Sequence, residues 1–277
     1  MTAHKKKKMK LLFIIVFSLA AVSIFLWWQA NGLGVTYIEH SSWRLPTEFD
    51  GFRIAQVSDL HNKTFGKGNS SLLALLSREA PDIIVITGDL VDRRRPDINA
   101  AMEFIYGAVA IAPVYYVSGN HEERLENHNE IYGKLVNAGV HVLENTGAKI
   151  LRGERSISIA GVFDSDSDTV ISRRIETVMG NPDDFTILLC HRPNYMEIFK
   201  RYPLDLVFCG HAHGGQFRVP FVGGLFAPDQ GLFPQYTSGA YTEGETTMIV
   251  SRGLGNSVVP IRLFNRPDVV MATLRSE

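Results

Sequence analysis

The sequence predicts an α/β fold preceded by one apolar helix long enough to cross a membrane. Two observations carry this prediction. From about residue 35, short runs rich in β-branched residues alternate with segments of helical period, the pattern of helices covering sheet faces. The first 34 residues differ sharply from all that follows, being a basic head and then an unbroken apolar run. At 277 residues, 45% apolar and 21% charged, the chain can bury a full core, and no repeat or Gly/Ser linker divides it.

The N-terminal part reads HKKKKMK and then LLFIIVFSLAAVSIFLWW, residues 11–28, with two serines and no charge. At 1.5 Å per residue that run spans about 27 Å, close to the thickness of a bilayer's hydrocarbon core. Trp27 and Trp28 belong at the far interface, and the lysines of the head keep it cytoplasmic. The expected organisation is therefore a basic cytoplasmic head (1–10), a transmembrane signal anchor (11–28) and a catalytic domain (35–277). The domain is expected on the extracytoplasmic side of the cell membrane. A cleaved signal peptide is the rival reading, since Ala30-Asn31-Gly32 loosely resembles a cleavage site. The apolar run exceeds the ~7–15 residues usual for a signal core.

Charge follows the same partition. The whole chain carries −1 from 28 basic and 29 acidic residues. Five lysines lie in the head with no acid, which leaves the remainder with 23 basic and 29 acidic residues, a charge of −6. A mildly acidic domain has no footprint for nucleic acid, and to handle phosphate it needs bound cations. The two cysteines, Cys190 and Cys209, each end an apolar run and are expected as buried core residues, too few for a disulfide framework.

Five runs read as buried strands: FRIAQV (52–57), DIIVIT (82–87), VYYV (114–117), FTILLC (185–190) and DLVFC (205–209). Between and after them come the helical segments NSSLLALLSREA, DINAAMEFIYGAVA, HNEIYGKLVNAG, SRRIETVM and NYMEIFKRY, with Asn69 and Asp97 as N-caps of the first two. FDSDSD (163–168) lacks the spacing of a calcium loop and reads as a turn and helix cap. Residues 214–245, rich in Gly and Pro, read as a long loop shaping a substrate rim. Its Phe217, Phe221, Phe226 and Phe233 are expected to fold back as a loop core, with contact to an acyl chain as the alternative. TTMIVS and DVVMATL are the closing strands.

Chemistry gathers at the strand ends. After the five runs stand Asp59-Leu60-His61, Gly88-Asp89, Gly119-Asn120-His121-Glu122, His191 and Gly210-His211-Ala212-His213. Ligands of open α/β sheets bind at the carboxyl ends of strands. A lone histidine is usually a satisfied core residue, but Asp, Asn or His at five successive strand ends points to a metal site. Seven candidates (Asp59, His61, Asp89, Asn120, His191, His211 and His213) exceed one tetrahedral site and fit two ions sharing a carboxylate. Carboxylates, imidazoles and an amide without thiolate suit Mn, Fe or Zn. Two such ions lower the pKa of a bridging water and clamp a phosphoryl oxygen. Glycines 88, 119 and 210 are expected to let the backbone turn tightly before each ligand.

The series DLH, GD, GNHE, H and GHAH resembles the calcineurin-like metallophosphoesterase superfamily, over residues 58–213. The resemblance implies a four-layer α/β/β/α sandwich and two divalent metal ions. It assigns Asp59, His61 and His213 to one ion, Asn120, His191 and His211 to the other, and Asp89 to both. His121 matches a catalytic histidine that contacts phosphate and protonates the leaving oxygen. The tail, GHAHGGQFRVPFVGGLFAPDQGLFPQYTSG and VSRGLGNSVVPIRLFNRPDVV, is similar to a bacterial membrane-associated branch that includes phosphodiesterases and UDP-2,3-diacylglucosamine pyrophosphatases.

The expected function is a membrane-anchored hydrolase of a phosphodiester or pyrophosphate bond, in a candidate lipid-linked substrate, by metal-activated hydroxide attack. Two other readings stand beside it. GDLVDR is similar to the motif of Ser/Thr phosphoprotein phosphatases, but Ser118 and Arg94 depart from that pattern. A membrane-tethered binding protein that lost catalysis is disfavoured, because every ligand position is filled.

Overall fold

A computed structural model describes residues 3–256 and 261–277. Helix α1 (Ala3–Asn31) runs from the basic head through the whole apolar segment. It is long and apolar enough to cross a membrane, and its most apolar stretch is not buried in the protein.

The chain then builds two six-stranded sheets. The first takes β1 (Gly34–Ser42), β2 (Arg53–Val57), β3 (Ile83–Thr87), β4 (Val114–Val117) and β5 (His141–Val142), interleaved with α2 (Ser70–Glu79), α3 (Ile98–Val109) and α4 (His128–Asn137). The second takes β6 (Thr146–Arg152), β7 (Arg155–Gly161), β8 (Thr186–Leu189) and β9 (Leu206–Cys209), with α5 (Asp168–Val178) and α6 (Met196–Phe199). Two small hairpins follow, β10 (Arg218–Val219) with β11 (Gly223–Gly224) and β12 (Phe226–Ala227) with β13 (Gly231–Leu232). The hairpin of β14 (Gly239–Glu243) and β15 (Thr246–Val250) joins the second sheet, and β16 (Asp268–Ser276) returns to the first. The sheet orders are β1-β16-β2-β3-β4-β5 and β14-β15-β9-β8-β7-β6. Strands β2, β3 and β4 run parallel, as do β7, β8, β9 and β15, so the motif-bearing strands of each sheet end on one side.

Side-chain alternation explains the layering. Successive residues of a strand point to opposite faces. On β8, Ile187 and Leu189 join one core while Leu188 joins another; on β9, Leu206 and Phe208 separate from Val207 and Cys209 in the same way. The first core fills the space between the sheets and extends to Leu76, Ile105 and Leu135 on α2–α4. The second packs the outer face of the second sheet on Ile171 and Ile175 of α5 and Met196 and Phe199 of α6. The order is thus helix, sheet, sheet, helix, as the resemblance implied.

Several expectations need correction. Residues 214–245 are not a plain loop but the two hairpins and β14, and Phe221, Phe226 and Phe233 face outward rather than forming a core. Asp97 caps α3 through Ala100 N–H (3.0 Å), but Asn69 does not cap α2: its Oδ1 accepts from Phe65 N–H at 3.0 Å. Ser167, within the acidic run read as a helix cap, caps α5. Cys190 and Cys209 are buried free thiols.

Phe208 is fully buried between the sheets. Replacing it by alanine should cost about 3–5 kcal/mol, read as a lower urea midpoint by circular dichroism of the full chain in detergent. An unchanged midpoint would mean that the inter-sheet core repacks around the gap.

Candidate metal centre

The five motif-bearing loops are laced together by backbone. Asp59 N–H donates to Gly88 O (3.0 Å), His61 N–H to Asp89 O (2.9 Å) and Gly210 N–H to His191 O (2.9 Å). Asp59, His61, Asp89, His211 and His213 all adopt left-handed backbone, with φ of 52°, 47°, 52°, 64° and 47°. Non-glycine residues rarely occupy that region, and clusters of them mark functional sites. The glycines act differently from expectation. Of the three before the ligands, only Gly88 has positive φ; Gly119 and Gly210 are needed for space. A Cβ on Gly119 would lie 2.6 Å from Asp89 N, and one on Gly210 2.5 Å from an Asp59 carboxylate oxygen.

All seven candidate ligands and His121 converge and are buried. One ligand-capable atom from each of Asp59, His61, Asp89 and His213 lies within 4.8 Å of the others, and so for Asp89, His191 and His211. Asn120 adjoins the second group, its Oδ1 3.2 Å from His191 Nε2. Asp89 belongs to both, its Oδ2 3.5 Å from His61 Nε2 and 3.4 Å from His191 Nε2. His211 and His213, one residue apart, fall in different groups.

Neighbours fix which ring nitrogen faces inward. His191 Nδ1 lies 2.7 Å from Thr87 O, a contact only a donating N–H satisfies, which turns Nε2 toward Asp89. His211 Nε2 lies 2.9 Å from Asp229 Oδ2, leaving Nδ1 toward His191 at 3.1 Å. His61 and His213 bring their Nε2 atoms to 3.3 Å of each other. Burial pushes both of these imidazoles down to about 3, so they are neutral with lone pairs to offer. The Nδ1 atoms of both are buried without a hydrogen-bond partner. Burial works to raise Asp89, but His191 beside it outweighs burial and holds the carboxylate well below the usual range, and Asp89 in turn lifts His191 to about 10 against its own burial.

His121 is held differently. Its backbone N–H donates to Asp89 Oδ1 (2.9 Å), and its ring Nδ1 accepts from Arg93 N–H (3.0 Å), so a neutral ring carries its proton on Nε2. Its ring packs edge-on against His61 at 4.5 Å between centroids. Asp92 adjoins both histidines and accepts from Arg94 N–H (2.7 Å).

Several supporting residues escape the sequence reading. Glu122 Oε2 accepts from Asp89 N–H and Gly119 N–H (both 2.9 Å), and Oε1 from Val91 N–H (2.8 Å). Burial pushes its carboxyl up to about 8, against these donors. Asp229, from the turn between β12 and β13, reaches both His211 and Arg192. Arg192 also forms a two-pronged bond to Asp164 (2.7 and 2.8 Å). Arg262 is fully buried and donates to Arg252 O, Asn265 O and Asn256 Oδ1, tying the loop after β15 to the segment before β16. For Glu122 the signal was its place in GNHE; nothing in the sequence placed Asp229, whose partner lies 18 residues upstream.

The donor set suits divalent cations: imidazole nitrogens, carboxylates and an amide oxygen, without thiolate. Donated contacts from His191 to a carbonyl and from His211 to a carboxylate are those that orient and strengthen metal-binding imidazoles. The residues present fit the ions expected of them.

The calcineurin-like phosphoesterase family model matches residues 52–215. The chain is 31% identical over 228 residues to the phosphodiesterase YaeI of Escherichia coli, covering 80% of this chain and 82% of that one. It is 24% identical over 322 residues to the UDP-2,3-diacylglucosamine pyrophosphatase LpxG of Chlamydia muridarum, covering 91% and 94%. The crystal structure of TT1561 of Thermus thermophilus superposes with a TM-score of 0.53 at 14% identity, over 73% of this chain and 90% of that one, a likeness of fold.

Replacing Glu122 by leucine strips three buried N–H groups of their acceptor, at about 1–3 kcal/mol each. Glu122→Leu should therefore unfold at markedly lower urea than wild type, with Glu122→Gln between them. Equal midpoints for all three would show that those donors find other acceptors.

Proposed function

Since the chain belongs to the calcineurin-like phosphoesterase family, a family of metal-dependent phosphoric ester hydrolases, we propose that it is a membrane-anchored dinuclear phosphodiesterase or pyrophosphatase acting on a lipid-linked substrate. The observation that carries the two-ion reading is the position of Asp89, shared by two groups of donors. Asp59, His61 and His213 would hold one ion, Asn120, His191 and His211 the other, and Asp89 both. Divalent ions such as Mn, Fe or Zn would there supply Lewis-acid polarisation of the phosphoryl group and activation of water.

The chain's own groups do the rest. Thr87 O engages Nδ1 of His191 and Asp229 engages Nε2 of His211, which turns the opposite ring nitrogen of each inward, where it would meet an ion. Arg93 N–H keeps the His121 proton on Nε2, from which the neutral ring would donate a hydrogen bond to a phosphoryl or departing oxygen. Glu122 fixes the turns carrying Asp89 and Asn120.

Helix α1 supports anchoring, with the lysine-rich head in the cytoplasm and residues 35–277 as a catalytic domain on the other side. Tethering favours substrates that share the bilayer, through local concentration. The likeness to a diacylglucosamine pyrophosphatase, whose named substrate carries acyl chains, supports the same class.

Full-length protein loaded with Mn²⁺ should cleave bis(p-nitrophenyl) phosphate faster than p-nitrophenyl phosphate, and EDTA should abolish both activities. A clear monoester preference would favour a phosphatase. Asp89→Asn should lose bound metal and activity together, whereas normal turnover would end the bridging assignment. His121→Ala should keep its metal content while turnover falls by about 10²–10⁴. Unchanged turnover would remove His121 from the reaction.

A further inference from the structure

The two hairpins after the last histidine pair expose apolar side chains in an unusual way. Phe221 and Val222 form the tip of the first hairpin, and Phe226 and Leu232 stand directly opposite each other on the second, beside Phe233. All five are exposed, Phe221 completely and Leu232 by 74%. Phe221, Phe233 and Phe264 also hold left-handed backbone, φ 67°, 54° and 52°. For bulky residues this is a strained state, and here it accompanies rings left in solvent. An apolar cluster of this kind marks an interaction surface.

The hairpins are continuous with the exit of α1. Arg218 N–H donates to Leu263 O (3.0 Å) and Gln216 Nε2 to Ile261 O (3.3 Å), so the first hairpin is joined to the segment bearing exposed Ile261 and Phe264. That segment touches the helix: the Phe264 ring lies 5.9 Å from that of Phe25, and the Arg266 guanidinium stacks 4.6 Å over Trp28. Lys63, two residues beyond His61, donates to Ala30 O. With Trp28 at the interface, Phe25 lies about 4.5 Å deeper along the helix. Phe264 thus stands level with a residue inside the bilayer edge.

Composition agrees. Residues 214–235 contain one acid, Asp229, engaged by His211 and Arg192, and residues 261–267 contain none while carrying the half-buried Arg266. Apolar tips with nearby cations match a bilayer whose headgroups are anionic.

We propose that Phe221, Val222, Phe226, Leu232, Phe233 and Phe264 insert into the leaflet from which α1 emerges, so that the domain lies on the bilayer with its metal centre facing the headgroups. This rests on the membrane-anchored reading of α1 and gives the lipid-linked substrate its route: the hairpin carrying Asp229 is both part of the membrane face and a wall of the site.

The test uses the full chain in nanodiscs of phosphatidylethanolamine and phosphatidylglycerol containing doxyl-labelled lipid. A cysteine at Phe221 or Phe233 carries an NBD label, the native cysteines being buried. The reference label replaces Leu151, which is 75% exposed and lies beside the Arg152–Arg155 end of the second sheet, away from the site. Blue-shifted emission and doxyl quenching at 221 and 233, absent at 151, is the expected result. Quenching at 221 and 233 no greater than at 151 would overturn the proposal. A blue shift without doxyl quenching would also overturn it, since a protein rather than lipid would then cover the face. Hydrolysis by wild type of a fluorescent pyrophosphate-linked lipid in the same discs tests the substrate reading separately, whichever way the labels respond.

Discussion

The carboxylate of Asp89 sits where the two sheets meet, and the site depends on keeping it there. Asp59, His61, Asp89 and Asn120 come from the first sheet, while His191, His211 and His213 come from the second. Each group of donors draws on both sheets, so neither sheet assembles a complete site alone. The seam is closed by bonds that cross it. His191 binds Thr87 O, His211 N–H bonds the Asp59 carboxylate at 3.1 Å, and Gln56 Nε2 donates to Cys209 O at 2.8 Å. Inter-sheet packing therefore sets donor positions, and a displacement of about 1 Å between the layers is enough to disturb such chemistry.

Strain is concentrated in the same place. Five of the eight catalytic candidates hold left-handed backbone, a conformation that a chain keeps only when its surroundings over-determine it. Here the surroundings are Glu122, which takes three N–H groups, and glycines 119 and 210, which let the loops close to contact distance. The result of this arrangement is preorganisation: the imidazoles arrive oriented and dry, and those of His61 and His213 neutral.

Much of this was legible in the sequence. Buried parallel strands are continuous apolar runs, so β2, β3, β4, β8 and β9 announced themselves, and their ends carried the donors. Strand β1 and the β6–β7 hairpin were missed because they are partly exposed and lack such runs. The tail was read as a loop because Gly and Pro dominate it, yet two-residue strands suffice to fold it into hairpins. The outward phenylalanines were missed for a different reason: burial is the default for aromatic residues in water, and two hairpins of two-residue strands are too small to supply a core around them. Asp229 was invisible because a short turn, not a periodic element, carries it to His211.

The central claim is that Asp89 joins two ions. Crystals of Mn²⁺-loaded full-length protein, measured at the manganese absorption edge, test it most directly. The account predicts two anomalous peaks about 3.5–4 Å apart with the Asp89 carboxylate between them. A single peak, or two peaks that Asp89 does not share, would contradict it.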